Sequence, residues 1–352
     1  MLKAVERWGR RWLTQLLALL LRAPQRDLAL GRAPKILIIR LDERVGNLIM
    51  LTPTLSSLKR HFEQCHITLL AQPAAQSILI HHPDLDELIV FRKKNIWGHD
   101  GPLKTILRIR QKKYDLVIDG GNPTDPSTTQ SILTRFSGGQ HTLGFAHGPF
   151  AELYTAPHTL NPKIHHEIDM RLNLLEALPG IKLLRQTSLG KMGANTVNNN
   201  LESIVSAMRQ DKYLLINCGA RLSEKSLSAK NYAQIAKMAL QKRFHVILTY
   251  GPSETEIAQA IKKIEKDCHL APKTNLPELA LLMQHATAIV ACDTGPMHIG
   301  VAMKTPTTGI FVTTSPKRYG YTEGMHRVLD MNSKQTENPF SAIAPWLEEL
   351  SA

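Results

Sequence analysis

Ala288-Ile289-Val290-Ala291-Cys292-Asp293-Thr294-Gly295-Pro296-Met297-His298-Ile299-Gly300 is the stretch from which the fold is read. Five apolar residues end abruptly at an acid, the pattern of a strand buried on both faces of a parallel sheet. Gly295 permits a tight turn with close backbone approach. Pro296 suits the first helical position, where no amide hydrogen is needed. The segment therefore reads strand, turn, helix, with Asp293 placed to cap the helix amides. A helix start of this kind can receive phosphate through its free amides and dipole, with His298 reaching an anion from the first turn. A plain strand–turn–helix with a good cap fits the same residues, so both readings stand on physics alone.

The same alternation extends in both directions. Strands are expected at Lys35–Arg40, Ile67–Leu70, Leu88–Phe91, Asp115–Asp119 and Thr142–Phe145. Helices are expected at Asn47–Phe62, 74–81, 103–112 and 127–137, with another at Ile168–Leu178 behind His166. A second series places strands at Tyr213–Cys218, His245–Tyr250, Ala288–Cys292 and Thr307–Val312. Its helices fall at Ala229–Gln241, Glu254–Lys266 and Leu276–Gln284, with a last one at Pro339–Leu350. The polar run from Gly190 to Asn200 reads as a linker. Alternation of this kind gives parallel sheets covered on both faces, and 352 residues favour two cores over one. The expected class is α/β, with two Rossmann-like doubly wound domains facing a central cleft. The expected boundaries are 1–34, 35–189, 190–335 and 336–352. Ligands of such sheets sit at the carboxyl ends of the strands, where 40–47, 219–225, 251–254 and 293–298 fall.

The formal net charge is +13. It favours an anionic partner (nucleic acid, anionic lipid or a phosphorylated substrate) or serves solubility alone. Residues 1–34 carry a net +5 of it. Lys3, Arg7, Arg10, Arg11 and Arg22 share one side at helical spacing, and Leu2, Val5, Trp12, Leu16 and Leu19 share the other. That is the composition of an in-plane interfacial helix on anionic lipid. An ordinary docked helix and a secretory signal are the competing readings. Against the signal, Arg22 and Arg26 follow the apolar run at once, and no small-x-small cleavage site stands out. The run is also too short to span a bilayer. Cys65, Cys218, Cys268 and Cys292 are widely spaced and form no CxxC pair, and Cys218 and Cys292, which end apolar runs, read as small core residues.

Four motifs in order resemble glycosyltransferase family 9, the heptosyltransferases of the lipopolysaccharide inner core. Asp293-Thr294-Gly295-Pro296-Met297-His298 matches the family's D-[ST]-G-x-x-H fully. Asn217-Cys218-Gly219-Ala220-Arg221 with Lys225 is similar to its G-A-R-x-x-x-K stretch. Tyr250-Gly251-Pro252-Ser253-Glu254 resembles its glycine turn with a nearby acid, and Gly46-Asn47-Leu48 to Pro53 its G-D-x-x-x-x-x-P element. The resemblance runs from Lys35 to near the end of the chain. It implies a GT-B fold and transfer of heptose from ADP-L-glycero-D-manno-heptose to a lipid A–core acceptor, with inversion and without a metal or other cofactor. It implies a cytoplasmic enzyme, peripheral on the inner face of the bacterial inner membrane. It gives Lys225 the donor diphosphate, stabilising charge on the leaving group. Thr294, Gly295 and His298 would also hold phosphates, and Glu254 the ribose. Arg221 would reach a phosphate or the acceptor. Ala220, Asp293, Pro296 and Met297 complete the implied donor site.

One departure matters. The family has an Asp after the glycine of its first motif, proposed there as the base that deprotonates the acceptor. Here it is Asn47, whose amide is not basic, and inverting transfer still benefits from removing that proton. Asp42, in the same loop, is the expected substitute base, unless pairing with Arg44 makes it structural. Asn47 then positions the acceptor. Asn47 also motivates a second function, a catalytically silent sugar-nucleotide-binding or scaffold protein of the same fold. A sugar-nucleotide epimerase is a third.

Lesser signals remain. His81-His82 and His165-His166 lack the i, i+4 spacing of helix metal ligands and read as surface histidines. Gly120-Gly121-Asn122-Pro123-Thr124-Asp125 shapes an acceptor pocket or is a plain loop. Arg92-Lys93-Lys94 and Arg108, Arg110, Lys112 and Lys113 are acceptor-phosphate contacts or solvated faces. Nucleic acid is not expected, because no aromatic platform interleaves with them.

Overall fold

The computed structural model describes residues 20–92, 101–190, 199–220, 223–331 and 340–350. It divides into two compact units, Met1–Gln186 and Thr187–Ala352.

The first unit holds a sheet of six strands, β1 (Lys35–Arg40), β2 (His66–Ala71), β3 (Glu87–Val90), β4 (Leu116–Asp119), β5 (His141–Phe145) and β6 (Ala156–His158). All pair in parallel in the order β3-β2-β1-β4-β5-β6. Between and after them run α1 (Val45–Ile49), α2 (Thr52–His61), α3 (Ala74–Leu79), α4 (Pro102–Gln111), α5 (Thr128–Phe136) and α6 (Glu167–Leu175). The one helix expected from Asn47 to Phe62 is two. Pro53 has no amide to give the Ile49 carbonyl, so the helix breaks ahead of it. The Thr52 hydroxyl donates to that carbonyl instead, at 2.8 Å. The sixth strand escaped the sequence reading, because Ala156-Pro157-His158 is short and pairs only at the sheet edge, where proline is tolerated.

The second unit repeats the plan. Its strands are β7 (Tyr213–Asn217), β8 (His245–Thr249), β9 (His269–Leu270), β10 (Ala288–Cys292), β11 (Thr307–Phe311) and β12 (Arg327–Asp330). The order is β12-β11-β10-β7-β8-β9, again all parallel. The helices are α7 (Asn199–Met208), α8 (Ala229–Gln241), α9 (Thr255–Ile264), α10 (Leu276–His285), α11 (Gly295–Ala302), α12 (Pro316–Tyr319) and α13 (Ile343–Glu349). Of the expected linker, 191–198 lie outside the described residues, and Asn199 and Asn200 open α7 rather than continue a loop. Ile343, Trp346 and Leu347 of α13 join the core formed by β7, β8, β10 and α8. α11 packs closely on the sheet at Gly300, where a Cβ would stand 2.7 Å from the Ile289 side chain and 2.9 Å from Thr307 Oγ1.

Of the basic N-terminal extension, residues 20–34 are described, and its Leu21 to Arg26 stretch is hydrogen-bonded to the first unit. Arg135 Nε donates to the Leu21 carbonyl at 2.7 Å, and the Ala23 amide to the Glu152 carbonyl at 2.7 Å. Residues 1–19, which carry most of the expected amphipathic pattern, lie outside the described residues. Among the described residues no helix is long and apolar enough to cross a membrane.

A buried polar cluster ties the first sheet to its helices. Asp119, at the end of β4, accepts from Gln130 Nε2 at 2.5 Å, the Gly121 amide at 2.9 Å, Ser131 Oγ at 3.0 Å and Tyr154 OH at 2.6 Å. Burial, with the Asp119 charge beside it, holds the Tyr154 phenol well above its usual range, so it stays a neutral donor. Tyr154→Phe removes one of these bonds and is expected to cost about 1–3 kcal/mol of unfolding free energy. Urea denaturation reads this.

Candidate functional site

In each sheet the strand order reverses once, between β1 and β4 and between β7 and β10. The crevice at such a switch point, at the carboxyl ends of the strands, is where doubly wound sheets bind ligands. In the second unit, Cys218 to Lys225 follow β7 and Asp293-Thr294 follow β10, so two of the four motifs meet there.

Lys225 ends a 3-10 turn, Ser223–Lys225, and its Nζ lies 3.6 Å from Asp293 Oδ2. His298 Nε2 lies 3.7 Å from Asp293 Oδ1. Burial works to raise the Asp293 carboxyl, but the His298 and Thr314 side chains and the Lys225 ammonium outweigh it and hold it below the usual carboxylate range. Asp293 is thus an ionised anchor between two donors.

Asp293 does not cap the following helix, as the sequence suggested. Thr294 is the N-cap residue, with extended backbone and no side-chain cap bond. Its hydroxyl donates instead to the Cys292 carbonyl, at 3.1 Å. Pro296 occupies the first turn, where it costs no hydrogen bond. The start of α11 therefore keeps amides that no side chain of its own satisfies, the condition for receiving an anion. Met297 departs from its expected place. It is buried against Gly309 of β11, so its side chain is core and only its backbone belongs to the turn. His298 is buried as well, at 4% exposure, with Nδ1 hydrogen-bonded to Tyr321 OH at 2.8 Å.

The third motif closes the other side of β7. Gly219 has φ +86°, and a Cβ there would stand 2.5 Å from Glu254 Cγ. Only glycine lets the end of β7 run under the Glu254 side chain, which hydrogen-bonds Ser253 Oγ at 2.6 Å and leads into α9. Tyr232 pins the two central loops from below. Its hydroxyl accepts from the Gly219 amide at 3.0 Å and lies 3.1 Å from Cys292 Sγ. Ala220 follows Gly219, half-buried; Arg221 lies outside the described residues.

At the switch point of the first unit, Asp42 sits in the loop after β1. Its Oδ2 accepts from Arg40 Nη2 at 3.0 Å and Asn47 Nδ2 at 2.5 Å, and its Oδ1 from the Arg44 amide at 2.8 Å. The charged partner is thus Arg40, not the Arg44 guanidinium. Arg40 is 2% exposed. Burial, and secondarily Arg171, push its guanidinium down to about 9, still charged at neutral pH, while Asp42, Glu167 and Asp119 oppose the shift. Arg171, from α6, shares the Gly120 carbonyl with Arg40, at 3.2 and 2.9 Å, and pairs with Glu167 at 2.6 Å. The Gly120-Gly121 loop is thus held by two buried arginines.

Sequence reading did not find Tyr321, Tyr232 or Arg171. Only Arg171 left a trace, as a charged i, i+4 pair with Glu167 inside an apolar helix. His82 and His166 are not surface residues: each is buried, and each Nδ1 accepts a backbone amide two residues on, from Asp84 and Ile168, at 3.2 Å. Lys112 and Arg108 pair with Glu87, at 2.5 and 3.5 Å. Lys93 and Lys94 lie outside the described residues. Among the described residues no group of three His, Cys, Asp or Glu is arranged to hold a metal.

A family profile described as "Glycosyltransferase family 9 (heptosyltransferase)" matches residues 103–340. Lipopolysaccharide heptosyltransferase 3 of Escherichia coli K12 is 27% identical over 282 residues, covering 76% of this chain and 80% of that protein. Lipopolysaccharide core heptosyltransferase OpsX of Haemophilus influenzae is 23% identical over 329 residues, covering 90% and 91%. Among solved structures, E. coli heptosyltransferase WaaC with ADP superposes with a TM-score of 0.70 at 18% identity, covering 90% of this chain and 99% of that one. The fold is GT-B, as the resemblance implied.

Proposed function

Since this chain belongs to glycosyltransferase family 9, and so is a glycosyltransferase, we propose that it moves heptose from an ADP-activated donor to a lipopolysaccharide inner-core acceptor, with inversion and without a metal. The observation that carries the reading is the convergence of Lys225, Asp293 and the uncapped start of α11 at the β7/β10 switch point. A diphosphate there meets an ammonium and free helix amides. The two relatives named above are lipopolysaccharide heptosyltransferases, and the solved structure is a heptosyltransferase with ADP, which supports heptose and adenine.

The donor site is formed by Ala220, Arg221, Lys225, Glu254 and residues 293–298. Asp42 is the base. An ionised carboxylate has about four acceptor directions, and three are filled here, which leaves one on Oδ1 for an acceptor hydroxyl. Asn47 holds the other oxygen and sets the rotamer. Residues 1–34 bring the enzyme to the anionic cytoplasmic face of the inner membrane, where a lipid A–core acceptor is found.

Calorimetry with ADP-, GDP- and UDP-sugars, then product analysis on a heptose-deficient core, tests the reading. Preference for a GDP- or UDP-sugar would remove the ADP donor. Tight donor binding with no turnover on any core acceptor would make the protein a silent sugar-nucleotide binder. Tyr321→Phe removes the partner of His298 Nδ1 and is expected to weaken ADP binding about fivefold, together with a loss of about 1–3 kcal/mol of unfolding free energy because both groups are buried.

A further inference from the structure

α4 buries one side and carries leucines on the opposite one. Thr105 and Ile109 face inward and are buried. Leu103 and Leu107, one turn apart on the outer side, are 52% and 61% exposed. Arg110 continues that outer row, and its Nη1 donates to the Phe136 carbonyl, at 3.1 Å. Phe136, the last residue of α5, is 39% exposed. The bond from Arg135 to the Leu21 carbonyl brings Leu20, 71% exposed, to the same edge.

Single exposed leucines need no explanation. Here two at i, i+4 adjoin a phenylalanine, and the only charges on the two helices that carry them are cations. α4 and α5 contain Lys104, Arg108, Arg110 and Arg135 and no acid. Glu87 takes Arg108 and Lys112, and Glu152, beside the Leu20 edge, takes Arg22. An outward apolar row flanked by cations is the composition of an element that lies in a bilayer interface.

We propose that the outer face of α4, with Phe136, docks on an anionic bilayer surface and is a second membrane contact, built into the folded first unit. Coverage of this face by another part of the chain is the alternative that the dye experiment below reads. The proposal extends the membrane-facing reading of residues 1–34 and rests on it for its purpose, but its test reads binding rather than turnover.

The full-length chain is sedimented with phosphatidylglycerol-containing and with pure phosphatidylcholine vesicles. Leu103→Ser with Leu107→Ser is expected to lower partition onto the anionic vesicles about tenfold, with melting temperature and ADP affinity unchanged. Lys104→Gln is expected to lower it about fivefold. A second chain replaces Lys3, Arg7, Arg10 and Arg11 with Gln. If that chain loses binding while the leucine variant keeps it, the α4 contact is overturned and the N-terminal reading stands. The reverse result upholds α4 and removes the N-terminal reading. Wild-type protein that ignores anionic vesicles overturns both. The described cysteines are buried, so Leu107→Cys takes a polarity-sensitive dye at one site. A blue shift only on adding anionic vesicles is expected; a shift already present without them means that the chain covers this face itself, and the proposal falls.

Discussion

Lys225→Met should lower kcat by about 10²–10³-fold, the effect of removing one preorganised donor from developing negative charge. The departing nucleotide gains charge on its diphosphate as the glycosidic bond breaks. In the proposed reading Lys225 meets that charge, with its ammonium 3.6 Å from Asp293. The anchor is strong, since Asp293 remains ionised despite burial. Methionine keeps the stem length and loses only the cation, so packing changes little. The loss should fall mainly on kcat, with the acceptor KM unchanged, because the interaction grows in the transition state. Lys225→Arg should recover only part of the rate, since a planar fork cannot occupy the position of a compact ammonium. Steady-state kinetics with purified core acceptor read both variants. An unchanged kcat in Lys225→Met would assign this lysine to the exposed end of a turn and nothing more.

Asp42→Asn should reduce kcat by about 10²–10⁴-fold, the range for loss of a general base. The substitution also leaves Arg40 buried without its closest carboxylate, so some stability is lost with the rate. The exchange Asp42→Asn with Asn47→Asp separates the two effects. The side chains already touch at 2.5 Å, so the exchange keeps an amide–carboxylate bond and moves the charge to the position where the family has its Asp. Recovery of a substantial part of the rate is expected if the loop needs one carboxylate facing the acceptor. Full activity in the single Asp42→Asn variant would end the assignment of Asp42 as base. Full folding with no recovery in the exchange would show that Asp42 alone has the geometry.

The strands were legible in the sequence because buried parallel strands are unbroken apolar runs. Lys35–Arg40 and Ala288–Cys292 were read to the residue. The strand, turn and helix around Asp293 were legible because glycine and proline at the end of an apolar run leave the backbone few other conformations. What the sequence concealed was set by long-range packing. Edge strands such as β6 and β9 are too short to carry a period. The Asn47–Phe62 helix looked continuous because its apolar spacing passes through Pro53, and only the missing amide breaks it.

By itself, then, the sequence determined the class of fold, nine of the twelve strands, and the turns that meet at the β7/β10 switch point, because backbone constraints and burial are written in local residue order. Tertiary structure decided which side chains act together. It brought Lys225 to Asp293, set Tyr321 on His298, turned Met297 into the core, and paired Asp42 with Arg40 and Asn47 rather than with the Arg44 guanidinium. These pairings depend on the parallel crossovers that carry Asp293 back beside the end of β7, a proximity that no local stretch of residues encodes.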